Sequence, residues 1–213
     1  MRTTMVTLPD VAGLDVEDAK QDLRTIVRGR RARRSAYERD QLAAQWVTTA
    51  IDFIGSSRTV ACYVSVNDEP PTRLILEAAA HAGVRILLPK LGPRLAREWA
   101  WYEGEDDLRV YAPGRPPEPS GEAVSAEILA NVDAIIMPAL LIDRVGHRIG
   151  QGGGWYDRVL KQVSSSTRIG AMVYPEEYVN QELPQEDMDR RVPYVLLPDH
   201  WEACSLDHTD EAA

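Results

Sequence analysis

The chain has 213 residues, 44% hydrophobic and 27% charged, a composition that suits a globular protein with one substantial core. A formal net charge of -9 argues against a general nucleic-acid-binding surface, while a local basic pocket stays compatible with it. Cys62 and Cys204 stand far apart and no apolar run reaches membrane-spanning length, which argues against a disulfide scaffold, a thiolate metal centre and a transmembrane helix, and fits the cytoplasm.

Residues 1–14 read as a flexible leader without the apolar stretch of a secretory signal. From Asp15 to about Arg34, Leu23, Ile26 and Val27 predict a helix with a narrow apolar face. Lys20, Arg24, Arg28 and Arg31 recur along it every three or four residues, a basic stripe that is either solvated or anion-binding. A second helix over 37–54 carries Leu42, Trp46, Ala50 and Phe53 toward a core. "TVACYVSV" at 59–66 predicts a strand, and "NDEPPT" breaks it. "RLILEAAAHAG" predicts a helix stopped by Gly83, and "VRILLP" a buried strand, so the order is that of a parallel α/β unit.

Alternation over 95–102 predicts an antiparallel or edge strand, and "APGRPPEPSG" a loop. "SAEILANV" reads as a helix and "DAIIMPALLI" as the most apolar strand, delivering Asp143 to its end. A glycine loop, a helix from Trp155, the strand "RIGAMVY", the turns of "QELPQEDMDRRVP" and the strand "YVLLP" follow. A single domain therefore spans 15–200, with a polar tail over 201–213.

The chemistry gathers around "GHRIGQGGGWYDR". Adjacent glycines expose backbone N–H groups to an anion, and a helix starting beside them adds its dipole. Arg148 and Arg158 could add directional contacts to phosphate or carboxylate oxygens. The loop lacks the Lys-Ser/Thr ending of a P-loop, and a plain structural turn stays open as the alternative. Asp143 and Asp157 bracket it as oxygen donors for a hard cation, or as caps and Arg partners. Glu69 follows the first strand, where ligands gather in open parallel sheets. One loop histidine, His147, establishes neither acid–base chemistry nor a metal.

"KQDLR" at 20–24, "YVSVNDEPPT" at 63–72, "ILLPKL" at 86–91, "DAIIMPALLIDRVGHRIGQGGGWYDRVL" at 133–160, "IGAMV" and "LPQEDMD" occur in an order that resembles the 5-formyltetrahydrofolate cyclo-ligase family over about residues 18–198. The resemblance implies a three-layer, Rossmann-like α/β sandwich with a mostly parallel central sheet, of the NagB/RpiA/CoA-transferase-like type. It implies ATP- and Mg²⁺-dependent conversion of 5-formyltetrahydrofolate to 5,10-methenyltetrahydrofolate by phosphorylation of the formyl oxygen and attack by N10. Lys20, Arg148 and Tyr156 take catalytic places. ATP falls to Lys20, Arg24, Arg148, Gly150, Gly152, Gly153, Gly154, Trp155, Tyr156 and Asp157, folate to Tyr63, Glu69 and Glu177, and metal to Asp157 and Asp143.

ATP and a reduced folate are the implied partners, with no nucleic acid, no membrane and a monomer as the default. Ile142, Gln151, Trp155 and Glu177 depart from commoner residues in relatives. Glu177 stands where many carry Gln, and a carboxylate there could repel folate, so a non-catalytic or altered-substrate relative is the alternative.

Overall fold

The computed structural model describes residues 8–9, 11, 13–92 and 96–205, so Leu95 of the expected strand lies outside the described residues. In chain order the elements are α1 (Val16–Arg31), α2 (Ala36–Ile54), β1 (Thr59–Ala61), α3 (Arg73–His81), β2 (Arg85–Leu91), β3 (Arg97–Trp101), β4 (Leu108–Arg109), β5 (Glu118–Pro119), β6 (Val124–Ser125), β7 (Ala134–Pro138), β8 (Leu141–Asp143), β9 (Arg148–Ile149), α4 (Trp155–Val159), β10 (Arg168–Met172), β11 (Tyr178–Val179), β12 (Tyr194–Leu196) and β13 (Trp201–Ala203). The helix starts follow from local chemistry. Asp15 accepts from Glu17 N at 3.0 Å ahead of α1, and Ser35 forms a reciprocal capping box with Glu38 ahead of α2.

Eight strands form the main sheet in the order β13-β12-β10-β7-β1-β2-β3-β6. The sheet is mixed. Its centre, from β12 to β2, is parallel, while β13 at one edge and β3 and β6 at the other pair antiparallel. Strict alternation sorts the side chains. Val60, Ile86, Leu88, Ile136, Met172 and Leu196 meet Trp46, Ala50 and Phe53 of α2 and Ile75 and Leu76 of α3 on one face. Ala61, Leu87, Ile135, Met137, Ala171 and Val195 meet Leu129 and Val159 on the other. Strands covered on both faces read as continuous apolar runs, which is why β7 and β10 are so apolar.

"DAIIMPALLI" is two strands rather than one. β7 ends at Pro138, and β8 joins β9 and β11 in a separate three-stranded sheet. Leu140 and Leu141 leave the main core to pack with Leu23 and Val27 of α1 and with Leu8, which is also buried although it falls in the expected leader. "TVACYVSV" pairs as a strand only at Thr59–Ala61, and the "SAEILANV" helix is a 3-10 turn over Ala126–Asn131. Trp201–Ala203, assigned to the polar tail by sequence, is the edge strand β13; Trp201 packs edge-on against Phe53 and Tyr194, an aromatic contact no local pattern announces. No described helix is long and apolar enough to cross a membrane.

Candidate active site

A cleft of about 390 Å³ opens beyond the C-terminal ends of the central strands. Lys20, Arg24, Tyr63, Glu69, Arg148, Gly150, Gly152, Gly153, Gly154, Trp155, Tyr156 and Asp157 all line it. Twelve of the fourteen residues singled out from sequence are therefore brought together; Asp143 and Glu177 are not among the lining residues.

One wall is cationic. Lys20 and Arg24 lie on the buried face of α1, so that part of the basic stripe is turned inward rather than solvated. Arg24 Nε donates to Gly150 O at 3.1 Å and its Nη1 pairs with Glu17 at 2.7 Å. Lys20 Nζ donates to Glu186 at 3.0 Å and Asp189 at 2.5 Å. Burial alone would lower the Lys20 pKa, but those two carboxylates outweigh it and hold the ammonium above its ordinary value. Arg148 Nη2 pairs with Asp157 at 2.7 Å, and Nη1 donates to Arg190 O at 2.5 Å.

Between these cations runs the glycine loop. Gly152 and Gly154 have φ of 100° and 56°, the left-handed region that an L side chain resists, and α4 begins at the next residue. A Cβ at Gly150, Gly153 or Gly154 would meet nothing within 4 Å, so the space beside this backbone is open. Arg97 Nη2, from β3, donates to Gly153 O at 3.1 Å.

The other wall comes from the segment after β1. Thr72 Oγ1 donates to Tyr63 O at 2.8 Å and accepts from Ser65 N at 2.9 Å, closing residues 63–72 on themselves. Tyr63 donates its hydroxyl to Pro70 O at 3.1 Å. Glu69 is held by Val66 N at 3.1 Å and by Gln151 Nε2 at 3.1 Å. Burial pushes the Glu69 carboxyl above the ordinary range, against the opposing pull of those hydrogen bonds. Burial also lifts the Tyr63 and Tyr156 phenols well above theirs, so both are neutral hydroxyls at physiological pH.

Asp143 is buried, is not among the cleft-lining residues, and its oxygens are occupied. Oδ1 accepts from Val145 N at 3.1 Å and His147 N at 2.9 Å, while Oδ2 accepts from Leu183 N at 3.1 Å and meets His147 Nδ1 at 2.9 Å. With those partners it has no free edge for a cation, and it shapes the β8–β9 turn instead. That turn is tight: at Gly146 (φ 88°) a Cβ would sit 2.3 Å from Val192 O.

Glu177 is likewise committed, with Arg31 Nε at 2.7 Å, Arg31 Nη2 at 2.7 Å and Tyr174 N at 2.9 Å. Only 3% exposed, it pins α1 to the turn after β10 and is not among the cleft-lining residues. The structure does not bring Glu177 into the cleft, where its place in the sequence had suggested a folate contact.

Sequence reasoning missed Lys20's partners Glu186 and Asp189, whose only signal was the acidic "QEDMD" turn. It also missed Lys90, which clamps Pro119 O and Gly121 O at 2.7 Å each and so holds the proline-rich strap of Pro116 and Pro117 along the cleft.

An open α/β sheet with a glycine-walled cleft beyond its strand ends, in which Lys20, Arg24 and Arg148 stand paired with carboxylates, defines the class: an α/β protein with a ligand-sized cleft at its strand ends. The sequence profile of the 5-formyltetrahydrofolate cyclo-ligase family matches residues 16–198, and the chain belongs to that family. It is 34% identical over 149 residues to the 5-formyltetrahydrofolate cyclo-ligase of Mycolicibacterium smegmatis, covering 67% of this chain and 75% of that one. It is 27% identical over 182 residues to the Escherichia coli K12 enzyme of the same name, covering 83% and 100%. The solution structure of 5,10-methenyltetrahydrofolate synthetase from Aquifex aeolicus superposes with a TM-score of 0.72 at 25% identity, covering 91% of this chain and 99% of that one. The synthetase from Mycoplasma pneumoniae shares the fold with a TM-score of 0.65 at 16% identity, covering 83% and 97%.

Proposed function

We propose that the chain converts 5-formyltetrahydrofolate to 5,10-methenyltetrahydrofolate with ATP and Mg²⁺, on a three-layer Rossmann-like scaffold of the NagB/RpiA/CoA-transferase-like type. The observation that carries this reading is one cleft with a cation-and-glycine wall facing a wall of Tyr63 and Glu69. The two walls suit two substrates of different chemistry, a polyphosphate and a polar heteroaromatic. ATP phosphates fit between Lys20, Arg24 and Arg148 along Gly150–Gly154, with Tyr156 beside them. The folate lies toward Tyr63 and Glu69.

In this mechanism the formyl oxygen attacks the γ-phosphorus of ATP and ADP departs. N10 then attacks the activated formyl carbon, and phosphate leaves as the ring closes. Holding N10 beside that carbon supplies the proximity advantage. Arg148 and Lys20 neutralise charge that grows on the transferring phosphoryl group, worth about 100-fold or more in rate for such a contact. The Tyr156 phenol, neutral because of its burial, donates rather than repels.

The residues also suit Mg²⁺, which asks for one or two carboxylates plus phosphate oxygens and water rather than a preformed cage. Asp157 supplies one such carboxylate at the cleft, and among the described residues no cluster of three or more His, Cys, Asp or Glu forms a cage. Bound there, the ion would supply electrostatic neutralisation of phosphate charge.

The test mixes purified protein with ATP, Mg²⁺ and 5-formyltetrahydrofolate and follows the near-ultraviolet absorbance of the conjugated methenyl product together with phosphate release. An ATP-dependent rise with matching phosphate supports the reading. Folded protein that binds both substrates without either signal defeats it.

A further inference from the structure

Gln151 joins three segments: α1, the glycine loop and the segment after β1. Its side-chain oxygen accepts from Arg28 Nε at 3.3 Å and Nη2 at 2.9 Å, and its backbone oxygen accepts from Arg28 Nη2 at 3.1 Å. Its amide nitrogen donates to Glu69 Oε1 at 3.1 Å. An amide is the side chain for this place. One end accepts from a guanidinium and the other donates to a carboxylate, which neither a carboxylate nor an ammonium can do at once.

The neighbours of Gln151 make its backbone sensitive to the loop. Gly150 O is held by Arg24 Nε at 3.1 Å, and a Cβ at Gly152 would lie 3.6 Å from the same guanidinium. Any anion that draws Arg24 toward itself therefore acts on the residues flanking Gln151 on both sides. At the far end, Glu69 Oε2 is fixed by Val66 N, so Oε1, the oxygen bound to Gln151, is the one whose setting Gln151 controls.

We propose that Gln151 is a positioning residue that couples the two substrates: phosphate seating in the glycine loop sets its backbone, and its amide sets the Glu69 carboxylate that orients the folate. This rests on the ATP-and-folate reading above. Coupling of this kind is reciprocal, so each substrate tightens the other by the same factor.

The test measures by calorimetry the Kd of a non-hydrolysable ATP analogue with and without saturating 5-formyltetrahydrofolate, then the converse, with Mg²⁺ throughout. Wild type shows a coupling of about 5-fold or more in both directions, and Gln151→Met, of similar volume and without the amide, falls to within about 2-fold of none. Gln151→Glu keeps the acceptor for Arg28 but places a second carboxylate beside Glu69, so it loses folate affinity more steeply as pH rises. A merely structural role would lower stability and leave the coupling factor in place. A wild-type factor near unity, or a wild-type factor surviving in Gln151→Met, overturns the inference. Absence of folate binding in wild type is seen separately in the single-ligand titration; it defeats the substrate reading, and the inference falls with it.

Discussion

Lys20, Arg24 and Arg148 are each paired with a carboxylate in the free chain, so a polyphosphate must compete with Asp189, Glu17 and Asp157 for them. Arg148 has only 5% of its side chain exposed, and deletion leaves Asp157 without its guanidinium. Arg148→Ala is expected to lower kcat/KM for ATP by about 100-fold while the thermal midpoint stays within a few degrees; undiminished steady-state rates would remove Arg148 from the phosphate site. Glu69 gives a prediction of the opposite kind. Because burial raises its pKa, the folded chain holds that proton more tightly than the unfolded chain. The contribution to stability is therefore full below the unfolded pKa and is lost as pH rises through the folded value. Burial of the charged form is therefore a cost to the fold. Glu69→Gln should raise the melting temperature at pH 7 and weaken folate by about 10-fold through loss of a charged hydrogen bond. A lowered melting temperature with an unchanged folate KM would show that Glu69 serves the fold alone.

Among the elements, α1 has the widest reach: its buried face sends Lys20 and Arg24 to the cleft and Arg31 to Glu177. The stripe was legible in the spacing of its cations, but spacing could not say which of them face inward. The same holds for Asp143 and Glu177. Asp143 was chosen because it stands at the end of an apolar strand and Glu177 because of its place in the family pattern; Asp143 is held by its neighbours Val145 and His147 and by the distant Leu183, and Glu177 by the distant Arg31. The glycine loop was readable because its signal is local: consecutive glycines, positive φ and a helix start lie within a few residues. The break of one apolar run into β7 and β8 was not, since either strand alone fits the pattern and only packing on α1 separates them. Arg31→Ala would strand a buried carboxylate and cost about 3–5 kcal/mol in denaturant unfolding, whereas Arg31→Met with Glu177→Leu recovers most of it. Asp143→Asn should cost about 2 kcal/mol and leave the Mg²⁺ concentration dependence of the rate where it was. A rightward shift in that dependence would restore Asp143 to the metal site.

At the scale of the molecule the cleft belongs to no single element. Its lining comes from α1 near the start of the chain, the segment after β1, the strap at 116–118, the loop between β9 and α4, and the turn at 186–189. The parallel centre of the sheet supplies the common floor, because parallel strands deliver all their following loops to one end. Residues far apart in sequence, such as Lys20 and Asp189, are joined across the cleft by ion pairs. A ligand that bridges the cations should therefore bind the folded chain alone and tie these segments together. At 100 times its Kd, ATP with Mg²⁺ would add about 2.7 kcal/mol to stability. For a chain of this length that corresponds to a rise of about 5–11 °C in the thermal midpoint. The rise must be accompanied by slower amide exchange in α1 and in the 186–189 turn, while α2 and α3, which contribute no residue to the cleft lining, change little. Protection confined to the glycine loop, with α1 exchanging as before, would mean that the nucleotide does not reach Lys20 and Arg24 and that the cation wall serves a smaller anion.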